Sequence, residues 1–141
     1  MNNIFESQTI QYEIPIEDLE KIKNLILNMP INDNDFSIEN IKYTLRLCPS
    51  ISKYGERNGQ PAEYRKQIDK WVIYLWDDLR EKIQKVLLFH EALEIYFVEK
   101  FGLAPGAQAH SAVLLHESNF VNQLLNEEEK IELSKLRENL K

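Results

Sequence analysis

Between Leu79 and Phe101 apolar residues recur at three- and four-residue steps, at Leu79, Ile83, Val86 or Leu87, Phe97 and Phe101. Where that stripe should continue, at positions 90 and 94, stand His90 and Glu94. The spacing predicts a long helix over about 79–101 with one face turned to the core. Gly102 stands where a left-handed cap glycine belongs. Burying an ionised carboxylate without compensation is very costly. The helix therefore demands a hydrogen-bonded pair, a buried cation or a divalent metal beside Glu94.

The spacing favours the metal. Side chains four apart on a helix lie ~5–6 Å from each other at Cβ. An imidazole nitrogen and a carboxylate oxygen can then share one ion at ~2 Å. Glu91 lies about 100° round the helix, beside the pair. This is the geometry of the His-Glu-x-x-His helix of zinc hydrolases, whose Glu is the general base for metal-bound water. Here the stretch reads His90-Glu91-Ala92-Leu93-Glu94. A third ligand is expected from a following helix, about 106–125, where His110, Leu114, Glu117 and Val121 share a stripe. His90, Glu94 and His110 would then make a two-His, one-Glu set for Zn2+. Glu117 is either a fourth ligand or a group that orients His110 from behind. His116 falls on another face and is a secondary candidate, as a proton donor near the site. The plainer alternative is a satisfied His90–Glu94 pair with Lys85 or Arg80 nearby and no ion.

Order and motif together resemble the minimal core of zincin-type metallopeptidases: helix, strands, a helix bearing His-Glu, then a second ligand helix. The resemblance covers roughly residues 70–120 and departs from the pattern at Glu94, where the motif has a second histidine. His90-Glu91-x-x-Glu94, Gly102 and Ala109-His110-x-Ala112 also look like a pattern in phage-derived and bacterial proteins of undefined role. The zincin resemblance implies a peptide or protein substrate and hydrolysis by metal-activated water, with Glu91 as the base. A rival expectation is a non-catalytic protein-interaction module, of phage or mobile-element origin, with a structural polar or metal site.

The rest of the chain sets the frame. Its 141 residues suit one domain. Seventeen basic against 23 acidic residues give a net charge of −6, with no basic cluster, so nucleic acid is not an expected partner. The longest apolar runs, such as Val86–Phe89, are far shorter than a membrane span needs. A lone Cys48 and a start without signal-peptide character lead to a cytoplasmic expectation.

The fold expected is α+β, a small, largely antiparallel sheet packed on helices. Residues 1–8 should form a loose tail. Alternation predicts strands over 10–14 and 40–48, the run Trp71–Trp76, apolar on both faces, predicts a third strand, and a 3.6 period predicts a helix over 16–28. Residues 31–35 and 49–61 read as loop and turns, and 52–66 as a solvated basic loop. A charged helix after Asn126 closes the chain. Trp71, Tyr74 and Trp76 read as core packing, with a substrate groove as the alternative.

Overall fold

The computed structural model describes residues 13–138. The expected tail, the strand proposed over 10–14 and Leu140 wholly or largely fall outside them. Pro15 precedes α1 (Ile16–Asn28), where its missing N–H costs nothing. Ile22, Ile26 and Met29 on one side of α1 are buried, whereas Ile16 in its first turn is exposed.

Four strands form one sheet: β1 (Asn34–Ile38), β2 (Ile41–Cys48), β3 (Ala62–Lys66) and β4 (Trp71–Trp76). Their order is β1-β2-β4-β3. The two outer pairings are antiparallel, and the central β2–β4 pairing is parallel, with Tyr43 opposite Trp71 and Leu45 opposite Ile73. The sheet is therefore mixed. A parallel neighbour needs a crossover, and residues 49–70 supply it while contributing β3 to the edge. Two expectations are corrected here. Residues 34–38 are a strand, joined to β2 by a tight turn in which Glu39 and Asn40 take positive φ. Residues 62–66 are a strand too, not solvated loop.

Alternation assigns the faces. Phe36 and Ile38, Tyr43 and Leu45, Trp71, Ile73 and Leu75 all turn to the core. The core is completed by α2 (Glu81–Phe101), which packs against the sheet, α1 and α3 (Ala107–Leu124). Thirteen residues of α2 are buried, and its flanks as well as its stripe are covered. Gly102 ends α2 in the left-handed conformation at φ 68°. After a short connection α3 turns back over α2, and Phe120 stacks on Phe89 at 4.3 Å between ring centroids.

The last described element is α4 (Glu127–Glu138). Asn126 and Glu129 cap it reciprocally. The Glu129 N–H donates to Asn126 Oδ1 at 2.8 Å, and the Asn126 N–H donates to Glu129 Oε1 at 2.9 Å. Arg80, just before α2, pairs with Glu128, Glu129 and Glu132. That contact and the buried Leu133 hold α4 against the body of the domain. Among the described residues no helix is long and apolar enough to cross a membrane.

Candidate metal centre

The buried stripe of α2 carries His90 and Glu94 inward, each only 5% exposed. The first turn of α3 brings His110 alongside. His90 Nε2 lies 2.6 Å from Glu94 Oε2 and 3.1 Å from His110 Nδ1. His110 Nδ1 lies 3.4 Å from Glu94 Oε2. The three residues expected as ligands thus converge on one point, and no other group of His, Cys, Asp and Glu among the described residues does so.

Behind His90 stands Glu117, one residue from the expected arrangement: it orients His90, not His110. Its Oε1 lies 2.9 Å from His90 Nδ1. Glu117 in turn accepts both terminal nitrogens of Arg137 on α4, with Nη1 donating to Oε2 at 3.0 Å and Nη2 donating to Oε1. Glu117 faces His90 because seven residues separate it from His110, about two helical turns. It is buried and already spoken for by two partners, so it is not a fourth ligand.

Burial works against the charged form of Glu117, but the bonds from His90 and then Arg137 outweigh it and bring its pKa down to about 2. Burial likewise disfavours a charged His90, yet the bonds to Glu117 and Glu94 lift its pKa to about 9. Burial would raise Glu94, and the bond and charge of His90 bring it below the ordinary carboxylate value. Tyr64 on β3 adds to this, donating its hydroxyl to Glu94 Oε1 at 2.9 Å.

These bonds decide which nitrogen of His90 is available. Glu117 stays ionised and can only accept, so His90 must carry a proton on Nδ1. Its Nε2 then faces a carboxylate oxygen and the nitrogen of a second imidazole. Three lone-pair atoms at such distances repel unless a proton or a cation sits among them. Three ligands at 2.0–2.1 Å from a tetrahedral zinc lie roughly 3.3 Å apart. The separations of 3.1 and 3.4 Å match that spacing, and the third, 2.6 Å, is contracted by the His90–Glu94 hydrogen bond. The donor set could hold a divalent cation such as zinc.

A cavity of about 200 Å³ opens onto these atoms. Its polar wall carries His90, Glu91, Glu94, His110 and Arg137, and Pro61, Ala62, Leu87 and Leu136 supply apolar surface. Glu91 is half-buried on this wall and has no hydrogen-bond or ion-pair partner among the described residues. Burial raises its pKa to about 8, although the charge of His90 pulls the other way.

His116 stands apart from the cluster, and the tryptophans are buried as expected. His116 lies six residues past His110, some 240° round the helix, where its ring meets Phe97 at 6.4 Å. Burial, then the charge of Lys23 on α1, lower its pKa. It takes no part in the cluster. Trp71 and Trp76 are buried and spend their indole N–H groups on Glu99 and the Asn58 carbonyl. The strand beside the cavity is β3. Tyr64 and Arg137 were not legible as site residues, since each meets its partner only through tertiary contact. Comparison with protein families, with curated proteins and with solved structures gives no match.

Proposed function

We propose that this protein is a zinc-dependent hydrolase of peptide bonds. One observation carries the reading: three lone-pair donors, His90 Nε2, Glu94 Oε2 and His110 Nδ1, converge beside a cavity whose wall carries an unpaired carboxylate, Glu91. A bound zinc ion lowers the pKa of a coordinated water towards ~7 and polarises a carbonyl. Glu91 supplies the base. Placed on the cavity wall, it would take the proton from that water and return it to a leaving amine. Glu117 keeps the His90 ring turned to the centre, and Tyr64 does the same for the Glu94 carboxylate.

The peptide substrate is supported by β3. This strand has only β4 as a neighbour, so its other edge is unpaired within the sheet. Gln60, Pro61 and Ala62, at its start, line the cavity. An extended chain adding to that edge would run past the cluster.

The test is zinc content and peptidase turnover of protein purified without a polyhistidine tag. Stoichiometric zinc is expected, and Glu91→Gln should retain the zinc and abolish turnover. Absence of zinc would remove the reading.

A second reading is a non-catalytic interaction domain, and one observation favours it. A doubly protonated His90 satisfies Glu94 and Glu117 without any ion. On that reading zinc neither binds stoichiometrically nor changes the melting temperature.

A further inference from the structure

The sequence places Arg137 in a charged terminal helix, where a cation reads as solvated surface. The fold places it elsewhere. Leu136 and Arg137 form part of the cavity wall, together with Pro61 and Ala62 from the start of β3. The Arg137 side chain is 38% exposed, and its fork grips a carboxylate that is 8% exposed. Glu117 is thereby held between a guanidinium on one side and an imidazole on the other.

We propose that Arg137 is the positioning residue of the candidate zinc centre, acting through Glu117 to fix the proton of His90 on Nδ1 and leave Nε2 free for the cation. The inference rests on the zinc reading above. Three bonds in series carry it: Arg137 to both oxygens of Glu117, Glu117 Oε1 to His90 Nδ1, and His90 Nε2 towards Glu94 and His110. A guanidinium matches a carboxylate with two parallel N–H bonds and so sets its orientation as well as its charge. Without that fork Glu117 can turn away from His90 Nδ1. His90 can then place its proton on Nε2, where it blocks the metal. The centre of α2 and α3 is thus completed by a residue from α4, 20 positions beyond Glu117.

Arg137 is not required to hold α4. The Asn126–Glu129 cap, the Arg80 pairs and Leu133 do that independently.

The experiment measures zinc affinity of the full chain by competition with a chromophoric chelator, for the wild type, Arg137→Met and Arg137→Lys. The NMR signal of the His90 Nδ1–H is recorded in the zinc-loaded protein. Loss of a group orienting a metal ligand typically weakens binding by about 10–100-fold, and that range is expected for Arg137→Met. Arg137→Lys keeps the charge without the fork and should fall between the two. In wild type the Nδ1–H signal should be sharp and slow to exchange with water; in Arg137→Met it should broaden. A wild type without zinc affinity overturns the metal reading itself. Zinc bound by the wild type and equally by Arg137→Met overturns only the role of Arg137. Should Arg137→Met fail to fold, Arg137→Lys decides: an affinity equal to wild type overturns the role of the fork.

Discussion

The imidazoles of His90 and His110 meet at 3.1 Å between Nε2 and Nδ1, yet they occupy opposite environments. His90 is 7% exposed along its side chain and bonded to two carboxylates, whereas the His110 side chain is 53% exposed. Removing each should therefore separate stability from metal binding. His90→Ala leaves Glu94 and Glu117 facing an empty space and should cost on the order of 3 kcal/mol, the usual scale for breaking a buried charged pair. His110→Ala should change stability by less than about 0.5 kcal/mol, as surface substitutions do. Both should lose stoichiometric zinc. Urea denaturation and metal analysis of the two variants check this, and an equal stability cost would contradict the burial difference.

Tyr64 tests the other side of the cluster. Its hydroxyl bonds to Glu94, and burial, then the charge of Glu94, hold the phenol well above its ordinary pKa. Tyr64→Phe leaves the ring in place and removes one bond to a charged group, worth about 1.5–3 kcal/mol. A loss of that size in urea denaturation is expected for the metal-free protein. An unchanged stability would show that Glu94 does not depend on the phenol.

The helices and the clustering of His90 with Glu94 were legible because both signals are local. Polar residues interrupting an apolar stripe at four-residue spacing, as His90 and Glu94 do, need no knowledge of the rest of the fold. The sheet was legible only in part. Leu45, Leu47 and the Trp71–Trp76 run announce central strands by their apolar character. Ala62-Glu63-Tyr64-Arg65-Lys66 is polar enough to read as loop, as edge strands often are. Asn34 and Asp35 disguise β1 in the same way. The parallel pairing of β2 with β4 depends on where a 22-residue crossover returns, residues 49–70, which no local pattern encodes. Arg137 and Tyr64 were hidden for a similar reason. Their function lies in partners 20 and 30 residues away.

Gly102 offers a test of the turn that joins α2 to α3. It holds φ 68°, and a Cβ added there would meet no heavy atom within 4 Å. The cost of Gly102→Ala is then the left-handed backbone alone, about 1–2 kcal/mol. For a domain of this size about 1 kcal/mol corresponds to a fall in Tm of roughly 2–4 °C. A fall of that order or slightly more is expected by calorimetry, and no fall would mean that the α2–α3 turn relaxes out of the left-handed region.

The charged groups of the centre predict opposite pH trends for metal-free stability and for zinc affinity. His90 has its pKa raised from 6.5 to about 9 in the folded metal-free protein, so its stabilisation is complete below 6.5 and is lost as pH rises through about 9. Glu91, raised from 4.5 to about 8, acts in the same direction, because the unfolded chain ionises it first. Glu117 is lowered from 4.5 to about 2, so its contribution is present above 4.5 and disappears as pH falls through about 2. The metal-free protein should accordingly melt highest near pH 4.5 and lose stability from there towards pH 9. Zinc must displace the proton that His90 carries on Nε2, so its affinity should rise by about tenfold per pH unit between pH 6.5 and 9. Calorimetric melts in EDTA and zinc titrations across that range check the two trends together. If melting temperature and zinc affinity rose together with pH, His90 would not be the protonated link between Glu94 and Glu117.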